Sequence, residues 1–243
     1  MEYGAIDLHK KESQVRIITE SGQVIDGRIP TTRERLTVRF WGRPPARMLI
    51  EASTESEWVA QPLESLGHEV IVADPNFGLM YGHRSRRVKT DRRDVAALAE
   101  ACRQGIYRPA HRRSARQRPV QWHVNIRHDL VNARTRAMVV ARAITRGAGY
   151  RIAGGATETF MTRLAALDLP PAMRESLAPV HHVREVLDEE LEKADAHVAA
   201  LTAHDPVVKR LTPCPSSGPI TAAACVAALD DVVDLPVDAE RGR

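Results

Sequence analysis

Three cysteines in 243 residues, Cys102, Cys214 and Cys225, stand far apart and form no Cys-x-x-Cys pair. That leaves neither a disulfide framework nor a cysteine-built zinc site, and it points to a reducing cytosol. No apolar run approaches the roughly 18 residues of a transmembrane helix, so no membrane partner is expected. The N-terminus enters a strand-like pattern with no basic stretch ahead of an apolar one, so no signal peptide is expected either. Gly-rich phosphate loops are missing after the strand-like runs, which argues against a sugar-kinase-like ATPase.

What is present is charge, unevenly spread. The formal net charge of +4 conceals a block at 83–151 with 18 Lys/Arg against 4 acids, while the rest of the chain is net acidic. A basic block of this size fits a polyanion better than it fits a merely solvated helix surface. The expected phosphate contacts are Arg84, Arg86, Arg87, Lys89, Arg92 and Arg93.

Residues 3–9, 13–20 and 23–29 read as strands, with a turn at Ser21-Gly22. Thr31 or Thr32 caps a helix to about Trp41. Arg47 to Glu51 is a mostly apolar, central strand. A helix at 54–66 ends at Gly67, and His68 to Ala73 is a fifth strand, stopped by Asp74-Pro75-Asn76. A further helix runs from Asp91 to about Gln104. The order is that of an α/β, ribonuclease-H-like domain, a mixed sheet with helices on its faces.

Four acids stand at telling places in this layout. Asp7 lies in Gly4-Ala5-Ile6-Asp7-Leu8-His9-Lys10, and Glu51 ends Met48-Leu49-Ile50-Glu51. Asp91 and Asp94 open a helix in Lys89-Thr90-Asp91-Arg92-Arg93-Asp94. At 100° per residue, Asp91, Asp94, Val95, Leu98 and Cys102 share one side, with Arg92 and Arg93 elsewhere. An acid at the end of a buried strand is costly unless a cation meets it. Together the four could cage a divalent metal, which prefers oxygen ligands and suits phosphoryl transfer. An alternative for the helix pair is capping, with Asp91 as N-cap and Asp94 as its box partner.

Beyond about Ser114 the pattern is helical. Ile126, Leu130, Ala133, Ala137, Val140 and Ile144 step by four and three, with Arg127, Arg134, Arg136 and Arg142 flanking them. Val180, Val183, Leu187, Leu191, Ala194, Val198 and Leu201 repeat the spacing. Two such seams separated by a Gly/Pro-rich stretch predict a long antiparallel, coiled-coil hairpin. A short amphipathic piece, Glu158 to Leu167, packs in the connection. Gly218-Pro219 opens an Ala-rich helix, and Asp231 to Arg243 reads as a frayed tail.

These motifs together resemble the transposases of insertion-sequence family one-hundred-and-ten, the DEDD transposases described as bridge-RNA-guided recombinases. The likeness runs from Tyr3 to Asp231 and is most specific at Lys-Thr-Asp-Arg-x-Asp. It implies a RuvC-like nuclease domain over 1–110, a helical coiled-coil hairpin over 111–204, and the start of a C-terminal transposase module over 205–243. It further implies Mg2+ or Mn2+ on Asp7, Glu51, Asp91 and Asp94 as catalytic ligands, DNA and a structured guide RNA as partners, and a homo-oligomer through the coiled coil. The family's nucleophilic serine has no counterpart here, since the likeness breaks off after about Val232. Ser216 and Ser217 align with the turn before a helix and do not inherit that role. The expectation is a C-terminally truncated copy with impaired recombination. Two other readings stay open, a metal-dependent junction nuclease and a non-enzymatic nucleic-acid binder. Asp7-x-His9 in place of Asp-x-Glu argues against a DEDD exonuclease.

If the basic block grips phosphates, affinity for DNA falls steeply with salt as counterion release is lost. Replacing Arg86 and Arg87 with Ala lowers the slope of log K against log salt by about one unit each at most. A salt-independent affinity in a filter-binding titration would overturn this assignment.

Overall fold

The computed structural model describes residues 1–82 and 91–230, with Asp91 described in its backbone alone. Arg84, Arg86, Arg87, Lys89 and the tail from Asp231 lie outside the described residues. The chain divides into two compact units, Met1–Arg112 and Arg113 onward. Among the described residues, no helix is long and apolar enough to cross a membrane.

The first unit is a five-stranded mixed sheet in the order β3-β2-β1-β4-β5. Its strands are β1 (Glu2–Asp7), β2 (Glu12–Ile18), β3 (Val24–Pro30), β4 (Ala46–Glu51) and β5 (Glu69–Ala73). The first three make an antiparallel meander, and β4 and β5 add parallel to β1. Gly22, at φ 83°, turns β2 into β3. Gly4 is required by packing: a Cβ there would stand 2.6 Å from the Arg16 carbonyl oxygen and 2.9 Å from the Met48 sulfur.

Alternation along the strands builds two cores. Ile6, Val15, Ile17, Met48 and Ile50 face α1 (Arg33–Phe40) and α2 (Ser56–Ser65), meeting Leu36, Phe40, Val59 and Leu63. Ala5, Leu49 and Ala73 face the other way, onto Val95, Leu98, Ala99 and Cys102 of α3 (Asp91–Gln104). The small Ala5 and Ala73 let α3 lie close to the sheet. Thr32 is the residue that caps α1, accepting from the Arg35 amide at 3.3 Å. Buried His68 ties β4 to α1: its Nδ1 accepts from the Ala46 amide at 3.2 Å, and Nε2 lies 3.3 Å from the Phe40 carbonyl.

The second unit is helical: α4 (Gln117–Gly147), α5 (Phe160–Ala165), α6 (Pro171–Thr202), α7 (Pro206–Leu211) and α8 (Pro219–Leu229). Helices α4 and α6 pack antiparallel. Near one end Val120 shares a cluster with Val198, and near the other Met138 and Ala141 share one with Leu177. α5 seals that second end with Phe160 and Leu164. Residues 205–230 pack within this unit, where Ala223 and Ala227 of α8 meet Val120 and Val198. The Asp230 carboxylate accepts from the Ser114 hydroxyl at 2.8 Å.

The inward seam of α4 differs from the expected one. Ile126, Val140 and Ile144 are exposed, and the buried positions are Gln117, Val120, Met138, Ala141 and Thr145. The contact stripe is rotated by about one residue, roughly 100°. Arg127 and Arg134, expected beside the seam, lie on it and reach across to Asp195 and Asp188 of α6. On α6, Leu191, Ala194 and Val198 are buried as the spacing predicts, while Val183 and Leu201 are exposed and Arg184 and Thr202 take the inward places. Heptad spacing constrains the period and leaves the phase open when arginines can replace aliphatics through their methylenes.

That choice creates a charge problem. Arg134 and Arg184, the latter 2% exposed, share the single carboxylate of Asp188. Burial, and then the Arg134 cation, pushes the Arg184 guanidinium below its ordinary value, with Glu158 opposing. Removing Asp188 leaves two inward cations without their common carboxylate, so Asp188→Ala should cost about 3 kcal/mol in urea unfolding, whereas Arg184→Met should stay within about 1 kcal/mol or stabilise. Equal losses in the two variants would show that the carboxylate is not the critical partner.

Candidate active site

β1 places Tyr3, Ala5 and Asp7 on one face, and β4 places Arg47, Leu49 and Glu51 on that same face, the one α3 covers. The parallel register pairs Ile6 with Ile50, so Asp7 and Glu51 come next, side by side at the carboxyl ends of two strands. Neighbouring strands run about 4.8 Å apart. Ligands of open α/β sheets collect at such strand ends, where side chains project beyond the covered core. The Asp7 side chain is 15% exposed, with His9 Nε2 3.4 Å from its Oδ2. Glu51 is half-buried.

Helix α3 supplies the other pair. Asp94 is buried at 8% exposure, one residue before Val95, which is wholly buried. Arg92 and Arg93 are exposed, so the first turn turns its carboxylate inward and its guanidinium groups outward. Asp91 opens the helix, and its side chain lies outside the described residues. The sheet face under α3 therefore receives Asp7, Glu51 and Asp94.

Metal binding can be tested on the donor set. Carboxylate oxygens at strand ends, one of them on a buried side chain, are the hard donors that magnesium and manganese take. Among the described residues, no group of three or more His, Cys, Asp or Glu side chains is placed to hold a metal ion. Asp91, the fourth expected ligand, is not in that set. The donor chemistry fits; the described side chains by themselves do not complete the cage.

Composition and spacing did not single out Asp26. Its carboxylate accepts from Arg16 Nε at 2.6 Å and Nη2 at 2.7 Å, a two-pronged pair across β2 and β3. Arg92 Nε adds a third bond at 3.1 Å, joining β3 to the first turn of α3. Register places Arg16 opposite both Ala5 and Asp26, so the cluster lies on the α3 face, one row in from Asp7. The available signal was the hairpin: a turn at Ser21-Gly22 brings Arg16 against Asp26. Arg92, expected to hold phosphate, is thus also a strut, though its side chain stays 74% exposed. Arg16 first, and Arg92 after it, hold the Asp26 carboxyl below its ordinary 3.8, against the opposing effect of partial burial.

Comparison with known proteins gives these residues a context. Residues 5–146 match the family model of the IS110-type DEDD transposases, described as transposase. A Sinorhizobium fredii protein named as transposase y4pF/y4sB is 29% identical over 202 residues, covering 79% of this chain and 51% of its own length. A Yersinia enterocolitica protein, the transposase for insertion sequence element IS1328, is 25% identical over 230 residues, covering 93% of this chain and 67% of its own. The chain thus spans about half of one curated relative and two thirds of the other.

Asp26 carries a pH signature. A depressed folded pKa means that its contribution is fully present above the unfolded value and is lost as pH falls below that value through the folded one. Asp26→Asn should cost about 1.5 kcal/mol at neutral pH. Its melting temperature should then fall less steeply than that of the parent between about pH 5 and 3. Parallel acid limbs for the two proteins would refute the Asp26 assignment.

Proposed function

The chain belongs to the IS110 family of DEDD transposases, and from that premise we propose that its first unit is a metal-dependent nuclease acting on DNA phosphodiesters in the movement of an insertion sequence. The observation that carries this reading is the shared face: Asp7 and Glu51 end adjacent parallel strands beneath the helix that begins with Asp91 and buries Asp94. In this reading Asp7, Glu51, Asp91 and Asp94 hold Mg2+ or Mn2+, which when bound draws charge from the phosphate oxygens.

The chain's own residues do the rest. Asp94, buried beside Val95, is held against the sheet and away from bulk water. His9 stands beside Asp7 and orients its carboxylate. Arg92 and Arg93 lie on the outer side of the same turn and, with Arg84, Arg86, Arg87 and Lys89, hold the DNA backbone through phosphates, which positions the duplex without reading its sequence. A structured guide RNA presents the same polyanion to this block.

The second unit is the site of self-association in this reading. Trp122, Ile126, Val140 and Ile144 of α4 are 61%, 54%, 42% and 40% exposed. With Ala133 and Ala137 they form one stripe in four-three spacing, on the flank of α4 roughly 100° round from its seam with α6. That is the spacing a second helix packs into, and small alanines let it approach closely. A second copy of the chain is the occupant, through a coiled coil.

The test is incubation of the chain with branched and linear DNA and Mg2+, read on denaturing gels. Nicking should appear with Mg2+ or Mn2+, vanish with EDTA, and drop by about 100-fold or more in Asp94→Asn and Asp7→Asn, while low-salt DNA binding persists. Cleavage that survives both substitutions would overturn the assignment. Binding without any cleavage in the parent would leave a nucleic-acid binder. DNA that stays joined to protein after denaturation would reveal a nucleophile in this chain.

A further inference from the structure

Ten histidines are spread along the chain, and two of them meet. His123 on α4 and His197 on α6 face each other across the antiparallel pair, with ring centres 5.3 Å apart and ring planes at 49°. We propose that these two imidazoles form a bis-histidine clip for a borderline divalent metal ion such as zinc, nickel or copper, joining the two long helices.

The geometry carries the proposal. A metal–nitrogen bond is about 2.0–2.1 Å, and a ring nitrogen is about 1.1 Å from its ring centre, so each centre would stand about 3.2 Å from a shared ion. At a tetrahedral angle the two centres would then be about 5.2 Å apart, close to the separation observed. The planes are tilted, so the pair is not a parallel stack. His197 is exposed and His123 half-buried, which leaves an ion open to solvent and room for water in its other positions.

The surroundings are compatible with a cation. Arg127, one turn along α4, is neutralised by Asp195, two residues before His197 on α6. On the other side Val120 and Val198 pack with α8 and hold the helices at fixed spacing. The rings are therefore carried by a preformed scaffold. Imidazole nitrogens select this class of metal, whereas the carboxylates of the first unit suit magnesium and manganese. The clip does not depend on the nuclease reading.

The experiment uses the full chain without a histidine tag. Added Ni2+ should raise the melting temperature by several degrees, EDTA should reverse the shift, and Mg2+ should not reproduce it. His123→Gln and His197→Gln should each weaken nickel affinity at least about tenfold, because either loss breaks the chelate. Asp7→Asn and Asp94→Asn should keep the nickel shift, which separates failure of the clip from failure of the carboxylate site. Bound Cu2+ should show coupling to two imidazole nitrogens by electron paramagnetic resonance. No nickel shift, a shift retained in either histidine variant, or coupling to one nitrogen only would each overturn the clip.

Discussion

β1 and β4 run parallel, in contact, and with both faces covered. Ala5, Ile6, Leu49 and Ile50 are fully buried, and helices stand on either side of them. The middle of such strands has no place for charge, because an unpaired carboxylate in an apolar layer is prohibitively costly. Charge stands toward the strand ends, with Glu2 and Arg47 paired to Arg43 and Glu69 at one end and Asp7 and Glu51 at the other. Parallel pairing puts both carboxyl ends at the same edge of the sheet. An antiparallel pair would have sent them to opposite edges. The candidate site depends on that one topological choice more than on any single side chain.

Helix α3 follows from the same constraint. Its inward residues are small or aliphatic, and the sheet offers Ala5 and Ala73 beneath it, so the helix lies close. Close packing carries Asp94 inward with Val95 and Leu98. Asp26 and Arg92 then tie the first turn of the helix to the sheet. The strut is polar and partly exposed, so it sets position more than it adds stability. The restraint holds the first turn of α3, and with it Asp94, in a fixed place against the sheet.

The second unit resolves a different conflict. Two long helices with aliphatic heptads could pack on those heptads, yet α4 turns another stripe to α6. Arg127, Arg134 and Arg184 occupy the contact, matched by Asp188 and Asp195. Charges on a seam fix register, because a shift by one turn would separate every pair. The aliphatic stripe is thereby left on the outside, together with Trp122.

Much of the first unit could be read directly from residue order. Apolar runs, Gly22, Thr32 and Gly67 mark the strands and helices within a residue or two, because each is set by local alternation, turn chemistry or capping. The acids stood out for the same reason, as charges interrupting apolar patterns. What local pattern could not supply was pairing across distance. The hairpin brings Arg16 to Asp26, but nothing near Asp26 announces that Arg92 reaches it too, and nothing near His123 announces His197. The phase of the α4 seam was likewise open, since a period of seven fits more than one stripe and an arginine can serve on any of them. Those choices are made by the packing of whole elements, in which the burial of one stripe is weighed against the pairing of charges on another.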